Sequence, residues 1–535
     1  MTENRLYEIA RAMAQPEFYP HPAPKIERRE THISVVFLAG ESVYKIKKPV
    51  AFDFLDFSTL EKRRRVCEEE VRLNRRLNDG VYHGVVPITE DGKRLTLNGG
   101  GPPVEYAVHM QRLDDRHTMA AMLAKGALGA QDFHNLSAKL AEFYRSAPAG
   151  RRIGGWDTVQ KNCEENFSQM KPFVGSIISP PRFELILTAT EGFLKRRRSL
   201  FEQRLQDGSV KDCHGDLRAE HIYFTPGGIQ IIDCIEFNER MRFNDVASDV
   251  AFLVMDLDYQ GAVAASAEML EAFARRYGDL RLLALIDFYL CYRACVRLKV
   301  TCFRLRQEGL EDDLRRLLLE RTRTFAALAC RYAVRFAAPT VYVVMGMIAS
   351  GKSTVAGALA DAMDVDLLSS DRIRKRLFQG RSQKGPKASY GYGIYRPEAR
   401  SHVYGNLLLE AEDRLRDRCS VVLDATFSRR KQRTEALRLA RDAGARIVFV
   451  ECRCPEAEIK RRLKSRENGT SLSDARLSIW KQFQESYEAP EEIPPPLRVK
   501  ANTTRPTPDL IPEVFVASRQ AAASADALYN FDNFL

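Results

Sequence analysis

The stretch that decides the fold of the second half of the chain reads Gly346-Met347-Ile348-Ala349-Ser350-Gly351-Lys352-Ser353. It fits the pattern GxxxxGK[ST], in which glycines let backbone N–H groups turn inward around phosphate oxygens. The flanking residues fit as well, because Val341-Tyr342-Val343-Val344 is typical of a buried strand and Thr354 to Met363 of a helix. Strand, loop and helix together predict an anion-binding site at the beginning of that helix.

Each residue of this loop has an expected role. Lys352 would bridge the terminal phosphates of a bound nucleotide, and the Ser353 hydroxyl would complete the shell of a Mg²⁺ ion, with Thr354 as the weaker alternative. We expect the rest of the phosphate cradle to be formed by Gly346, Ile348, Ala349, Ser350 and Gly351. A Gly/Ser-rich turn can also simply join a strand to a helix, but the complete motif in its context argues against that interpretation.

Length and composition indicate a globular protein with more than one domain. The 535 residues are too many for one ordinary core, and 45% hydrophobic with 29% charged residues is a globular profile. The formal net charge of +11 favours anionic ligands such as nucleotides and leaves a nucleic-acid partner open. Met1 to Pro20 carries charges rather than a long apolar core, so we expect no membrane anchor and a cytoplasmic location.

The eleven cysteines are scattered along the chain. The nearest groups lack a partner His or a second CxxC at zinc-ligand spacing. We therefore predict reduced, mostly buried thiols and no metal besides Mg²⁺.

A domain boundary is predicted near Pro339, where a long helical pattern ends and the strand before the glycine-rich loop begins. The predicted domains are residues 1–336 and 340–515, followed by a C-terminal tail at 516–535. In the first domain, Ile33 to Leu38 and Ser42 to Lys47 read as a hairpin, and the pattern after the last predicted strand is mainly helical. A β-rich lobe is thus followed by a helical lobe.

Residues 30 to 335 resemble the aminoglycoside phosphotransferase branch of the protein-kinase-like fold. The segment His214-Gly215-Asp216-Leu217-Arg218-Ala219-Glu220-His221-Ile222 looks like the catalytic loop HGDLxxxNI of that family, and Ile231-Ile232-Asp233 looks like its metal-binding strand end. The resemblance implies that Asp216 accepts the proton of an acceptor hydroxyl and that Asp233 holds Mg²⁺. Asp249 would brace the catalytic loop.

One position departs from the family pattern. His221 stands where the second metal-binding Asn is usual, and an imidazole is a poor oxygen-type ligand for Mg²⁺. Its ring could instead donate to the loop or to a phosphate of the nucleotide, and Glu236 could supply a replacement carboxylate. Both alternatives stay open, and with them the catalytic activity of the first domain.

The nucleotide-clamping lysine is expected on the second strand, where Val43-Tyr44-Lys45 has the required alternation. Lys45 is our choice. Lys47 points the same way and is an alternative, whereas Lys48 lies on the opposite face of the strand. The helix partner is predicted to be Glu70, with Glu69 as its alternative.

Residues 340 to 515 resemble small P-loop kinases of the gluconate kinase, zeta toxin and polynucleotide kinase group. The segment from Val365 to Asp371 reads as a strand that ends in a carboxylate. The resemblance implies that Asp371 orients or deprotonates the acceptor hydroxyl, and that Arg374 binds an acceptor phosphate or carboxylate. Asp424 takes the position of a Walker B carboxylate acting on Mg²⁺, and Thr426 could touch the acceptor. Two further arginines resemble the lid of this group and would neutralise the transferring phosphate, Arg462 and Arg466.

The sequence therefore predicts a bilobal kinase-like α+β domain followed by an α/β P-loop domain with a mostly parallel sheet. The predicted function is transfer of the γ-phosphate of ATP, with Mg²⁺, to hydroxyl groups of small molecules. Two alternatives remain. The C-terminal domain could be a polynucleotide or RNA end kinase, or the chain could be a regulatory or toxin-like ATP-binding protein with an inactive first domain.

Overall fold

The computed structural model describes residues 3–52, 55–92, 94–378, 396–467 and 480–526. The chain forms two compact units. The first unit consists of Met1–Glu164 and Arg198–Met269, and the second consists of Glu165–Arg197 and Leu270–Leu535. These units are defined by how the residues pack against each other. They do not test the predicted domain boundary near Pro339, which stays a prediction.

The strands of the first unit are β1 (Ile26–Glu30), β2 (Ser34–Ala39), β3 (Ser42–Lys47), β4 (Ala51–Phe52), β5 (Leu55–Asp56), β6 (Tyr82–Asp91), β7 (Arg94–Leu97), β8 (Pro103–Gln111), β9 (Val210–Asp212), β10 (Ile222–Thr225), β11 (Gly228–Ile231) and β12 (Phe243–Asp245). Those of the second unit are β13 (Thr340–Gly346), β14 (Asp366–Ser369), β15 (Val421–Asp424), β16 (Arg446–Arg453) and β17 (Arg498–Asn502).

The α-helices, in chain order, are α1 (Glu3–Met13), α2 (Leu60–Asn74), α3 (Met119–Ala124), α4 (Ala130–Ser146), α5 (Trp156–Met170), α6 (Pro180–Arg196), α7 (Arg198–Gln206), α8 (Glu239–Arg242), α9 (Val246–Tyr259), α10 (Val263–Tyr277), α11 (Ile286–Leu305), α12 (Asp312–Ala337), α13 (Lys352–Met363), α14 (Ser370–Leu377), α15 (Pro397–Arg416), α16 (Arg430–Asp442), α17 (Glu456–Glu467), α18 (Trp480–Ser486) and α19 (Thr507–Asp526). The division between the units falls within α5 and α10.

An antiparallel sheet in the order β1-β2-β3-β8-β6-β7 opens the first unit. The predicted hairpin of β2 and β3 turns at Gly40, whose φ is +61° and where a Cβ atom would come 2.8 Å from the Pro22 carbonyl oxygen. Alternation along β3 directs Tyr44 into one apolar core. Val43 packs on the other face, where Cys67 and Val71 of α2 cover the sheet. Lys45 lies on this second face and therefore points towards α2.

The second unit contains a parallel sheet in the order β14-β15-β13-β16-β17, and all four strand pairings in it are parallel. All seven residues of the central strand β13 are buried, as expected for a strand covered on both faces. The carboxyl ends of β13, β14 and β15 meet at one edge, where ligands bind in open α/β sheets. The predicted fold class, α+β followed by α/β with a parallel sheet, is confirmed.

Helix α19 begins inside the predicted second domain and continues through residue 526 of the predicted tail. Phe515 and Val516 are buried, so the start of the predicted tail packs on the body of the unit. Residues 527–535 lie outside the described part of the chain. Within that described part, no helix combines the length and the apolarity needed to cross a bilayer.

A fully buried arginine joins α16 to the chain segment after α18. The Arg433 guanidinium donates to the carbonyl oxygens of Phe427 at 2.8 Å, Glu488 at 3.0 Å and Ala489 at 3.2 Å. It also forms an ion pair with Glu492. Since a buried charge needs such partners, Arg433 fixes these segments to each other.

We expect Arg433→Ala to lower the free energy of unfolding of the second unit by about 3–5 kcal/mol, because it leaves buried carbonyl groups and a carboxylate without their donor. Urea denaturation followed by circular dichroism measures the change. The control is Arg438→Ala, which removes an exposed arginine from the same helix. Equal denaturation midpoints for the two variants would contradict this account.

Candidate active sites

The glycine-rich loop of the second unit has the backbone of a phosphate cradle. Gly351 has a φ of +90° and Gly346 a φ of +139°, and a Cβ atom on Gly346 would come 2.6 Å from the Cys452 carbonyl oxygen. Glycine is therefore required at both positions. The loop leads directly into α13, which begins at Lys352. Its backbone N–H groups and the positive end of the helix dipole favour an anion at this place.

The side chains of Lys352 and Ser350 belong to the same cradle. The Lys352 ammonium donates to the Met347 carbonyl oxygen at 2.7 Å and so spans the loop. The Ser350 hydroxyl is buried and has no hydrogen-bond partner among the described residues. A bound phosphate would give that hydroxyl a partner. The predicted loop residues thus come together in a shape and charge that fit a phosphate group.

The predicted metal ligands of this unit also come together. Asp424 ends β15 and is buried, and its carboxylate accepts hydrogen bonds from Ser353 and from the Ser369 hydroxyl at 3.3 Å. Burial raises the pKa of Asp424, and the nearby Lys352 partly opposes this. Hydroxyl and carboxylate oxygens beside a phosphate cradle fit Mg²⁺. Thr354 lies exposed on α13, outside this group.

Asp371 and Arg374, the predicted acceptor residues, lie close to each other, but both belong to α14. Strand β14 ends at Ser369, so Asp371 lies in the first turn of α14 rather than at the strand end. Arg374 forms an ion pair with Asp371 one turn later. The negative charge of Asp371 contributes to the raised pKa of Asp424, which places both carboxylates in one electrostatic environment.

The first lid arginine contacts the cradle itself. Arg462 donates to the Thr503 carbonyl oxygen at 2.7 Å and to the Ala349 carbonyl oxygen at 3.5 Å, and it also binds Glu458 at 2.7 Å. Its guanidinium is therefore positioned by backbone groups of the loop. The side chain of Arg466 lies outside the described residues.

The sequence reasoning did not identify Thr503 or Tyr404, and it considered Thr426 only as a residue that could touch the acceptor. The Thr503 hydroxyl donates to the Ser350 carbonyl oxygen at 2.6 Å, and it would lie 3.2 Å from a Cβ atom on Gly351. The Tyr404 hydroxyl lies 3.2 Å from the Thr426 hydroxyl and accepts from the Phe427 N–H at 2.9 Å. The position of Thr503 just after a strand of the sheet was the one available signal.

In the first unit, the predicted lysine and glutamate lie together. The Lys45 ammonium binds Glu70 at 2.9 Å and Asp233 at 2.6 Å. Lys47, the alternative, is fully buried and binds the other oxygen of Glu70 at 2.6 Å as well as Glu236. Burial raises the pKa of Glu70, but the two lysines more than reverse this, and the pKa lies below its usual value.

The remaining alternatives lie elsewhere. Lys48 binds Glu30 at 2.5 Å, and Glu69 binds Arg72 at 2.6 Å, so neither contributes to the network around Glu70. Glu236, considered as a replacement metal ligand, is instead bound to Lys47. Its pKa is raised, mainly by burial.

The catalytic-loop aspartate is held by an arginine two residues later. Arg218 binds Asp216 through two parallel hydrogen bonds of 2.9 and 2.8 Å. His221 lies beside this pair, with its Nδ1 atom 2.9 Å from the Asp216 carbonyl oxygen and its Nε2 atom 3.2 Å from the Arg218 guanidinium. Burial and then the Arg218 charge lower the pKa of His221 to about 4. His221 is therefore neutral, and its Nε2 lone pair accepts from Arg218.

Buried aspartates hold the backbone of this loop. The Asp249 carboxylate accepts from the N–H groups of His214 and Gly215, both at 2.9 Å, as well as from the Tyr144 hydroxyl at 2.9 Å. This is the arrangement expected of a bracing residue. Asp256 adds a second brace, which the sequence did not indicate, by accepting from the Ala219 N–H at 3.0 Å.

The donor set of the first unit fits a metal ion less well than that of the second. Asp233 is bound to Lys45, Asp216 to Arg218, and the His221 ring offers no oxygen. Lys45 and Glu70 nevertheless form the pair that kinase-like folds use at a nucleotide.

Fold and sites together define a class: one chain that combines a protein-kinase-like α+β region with a P-loop α/β region. Both kinase-like folds expected from the sequence are present. Residues 341–490 match the family model for an AAA domain. A gluconokinase from Sinorhizobium meliloti 1021 is 22% identical, with 36% of this chain and 96% of that chain covered at a TM-score of 0.26.

Another solved structure covers more of the chain. A choline/ethanolamine kinase family protein from Mesorhizobium loti is 12% identical, with 63% of this chain and 99% of that chain covered at a TM-score of 0.39. The protein Rv2004c of Mycobacterium tuberculosis is 32% identical over 467 residues, which are 86% of this chain and 90% of the relative. Mb2027c of Mycobacterium bovis matches to the same extent. The chain belongs to the family of these mycobacterial proteins.

We expect Thr503→Val to loosen the glycine-rich loop, because it removes the hydroxyl that binds the Ser350 carbonyl while keeping the size of the side chain. The loss of one such hydrogen bond amounts to about 1 kcal/mol, which corresponds to roughly fivefold faster amide exchange in the loop. Hydrogen exchange followed by mass spectrometry over residues 346–353 measures this. Thr504→Val is the matched control, since Thr504 is exposed. Unchanged exchange in Thr503→Val would show that the loop does not depend on this contact.

Proposed function

We propose that the second unit is an ATP-dependent kinase that transfers the γ-phosphate to a hydroxyl group of a small molecule. One observation carries the proposal: the phosphate cradle, the Ser353 and Asp424 oxygens and the Asp371 carboxylate lie at one edge of the parallel sheet. Phosphoryl transfer requires mainly positioning and charge neutralisation, and these groups are suited to both.

Each residue of this site would have a separate role in phosphoryl transfer. The loop amides and Lys352 hold the β- and γ-phosphates, and a Mg²⁺ ion held by Ser353 and Asp424 would neutralise their charge when it is bound. Asp371 accepts the proton of the acceptor hydroxyl, for which its ion pair with Arg374 has to open or turn. Arg462, positioned beside the loop, stabilises charge on the transferring group.

The acceptor is proposed to be a small molecule with an anionic group, because Arg374 lies one helical turn from Asp371 and could bind that group once its ion pair opens. A polynucleotide end is the alternative acceptor. The formal net charge of +11 favours it.

For the first unit we propose a second nucleotide site. The support is the Lys45–Glu70 pair and the braced catalytic loop. Arg218, which holds Asp216 through both carboxylate oxygens, and the neutral His221 favour a site that binds ATP without transferring its phosphate in this arrangement. Transfer would require Arg218 to release Asp216.

Labelled-phosphate transfer from ATP into a cell metabolite extract and a separate RNA fraction tests the activity. We expect Lys352→Met to lower transfer by the second unit by about a hundredfold or more, because a charge on the transferring phosphate loses its partner. Lys431→Met, which removes an exposed lysine from α16, serves as the control. Label in the RNA fraction alone would favour the polynucleotide alternative, and equal transfer by both variants would contradict the kinase proposal.

Asp216→Asn in the same assay separates the roles of the two units. If the first unit binds ATP without transferring phosphate, the variant yields the same labelled products as the unsubstituted protein. A labelled product that disappears only in Asp216→Asn would show that the first unit is itself a kinase.

The nucleotide site of the first unit is tested by binding. We expect Lys45→Met to weaken binding of AMP-PNP at least about tenfold, since one charge-assisted contact to a phosphate contributes roughly 1.5–3 kcal/mol. Titration calorimetry on the full chain with Lys352→Met as background measures this site without the other. Lys48→Met is the control, because Lys48 binds Glu30 away from the network. Equal affinities for the two variants would argue against a nucleotide at Lys45.

A further inference from the structure

A cavity of about 650 Å³ lies in the second unit at the edge of the parallel sheet where the strands begin. The first residues of β13, β14 and β16 line it, namely Thr340, Asp366 and Arg446. The glycine-rich loop begins at the other end of β13, about 20 Å away at roughly 3.3 Å per residue. The cavity is therefore separate from the proposed ATP site.

The lining of this cavity is strongly basic. Seven arginines and four aspartates line it. Asp364 binds both Arg197 and Arg281 at 3.2 Å. Asp287 binds Arg519 at 3.0 Å and lies 3.6 Å from Arg335. Each of these two carboxylates is thus shared by two guanidinium groups, and positive charge remains in excess.

The arginines of this lining are not all fully paired within the described part of the chain. Arg335 is 9% exposed, and its Nε atom is buried with no hydrogen-bond partner among the described residues. Burial and then the Arg519 charge lower the pKa of Arg335 to about 10. Arg196 and Arg418, at the exposed rim, have no acidic group of the described chain within ion-pair distance.

Apolar surface adjoins these charges. Phe193, Phe336 and Phe515 line the same cavity, and the first two rings contact each other edge to face with centroids 5.2 Å apart. The volume is in the range of small-molecule sites, which combine apolar walls with a few polar groups that fix orientation. Guanidinium groups match the oxygens of a phosphate group through paired hydrogen bonds.

We propose that this cavity binds a small molecule carrying a phosphate group, at a site separate from the glycine-rich loop. The phosphate lies at Arg196 and Arg418, and the organic part of the ligand packs on the phenylalanines. Burial and then the Arg418 charge lower the pKa of Arg196, so these two guanidinium groups lie close to each other. Helix α13 extends from the loop at Lys352 to the cavity at Met363, so the ligand is placed to act as an effector of the P-loop site.

Titration calorimetry with inorganic pyrophosphate tests the site on the full chain, with Lys45→Met/Lys352→Met as background so that neither proposed nucleotide site contributes. We expect the further double variant Arg196→Gln/Arg418→Gln to weaken pyrophosphate binding at least about tenfold, because two charge-assisted contacts are lost. Both side chains are exposed, so the fold should be kept, and thermal melting checks this.

Arg315→Gln/Arg438→Gln removes two exposed arginines elsewhere and is the matched control, with unchanged affinity expected. In the control, pyrophosphate should also raise the melting temperature, and in Arg196→Gln/Arg418→Gln this rise should be lost. Equal affinity and equal melting shifts in the two double variants would overturn the proposal. The same holds if no pyrophosphate binds in the Lys45→Met/Lys352→Met background.

Discussion

Charged side chains that are buried away from water need partners of opposite charge, and this structure depends on that constraint. Glu70 has no exposed surface, and each of its carboxylate oxygens binds a lysine, Lys45 on one side and Lys47 on the other. A carboxylate in that position would be strongly destabilising alone, so β3 and α2 can pack only in the register that brings both lysines to it. The buried Asp249 carboxylate likewise fixes the catalytic loop, because it accepts hydrogen bonds from two backbone N–H groups. Structural stability and site geometry thus rest on the same contacts.

The two candidate sites use these charges differently. In the second unit, Ser353 and Asp424 present oxygen atoms beside a backbone cradle, and no described residue gives the Ser350 hydroxyl a hydrogen bond. In the first unit, the comparable carboxylates are already bound, Asp233 to Lys45 and Asp216 to Arg218. A nucleotide entering the second unit gives the Ser350 hydroxyl a partner, although Asp371 has to leave its ion pair with Arg374 before it can accept a proton. In the first unit, both Asp233 and Asp216 have to leave ion pairs. We therefore propose phosphoryl transfer for the second unit and nucleotide binding for the first.

Site features formed by residues that are neighbours in the sequence could be predicted, whereas contacts between residues far apart in the sequence could not. The glycine-rich loop was predictable because its strand, turn and helix are contiguous, and Lys45 because side chains alternate along a strand. The burial of Lys47 depends on Glu236, 189 positions away. The sequence reasoning placed Asp371 at a strand end, but α14 starts at Ser370, one residue before it. Thr503 and the arginine-lined cavity are formed by residues from distant segments, which no local motif marks.

We propose that this chain carries two separate nucleotide sites, one at Lys45 and one at Lys352. Native mass spectrometry of the full chain with AMP-PNP and Mg²⁺ tests it most directly, because it counts bound nucleotides. We expect two high-affinity nucleotides on the unsubstituted protein, with one lost in Lys45→Met and the other in Lys352→Met. A single bound nucleotide that Lys352→Met abolishes and Lys45→Met leaves unchanged would contradict it.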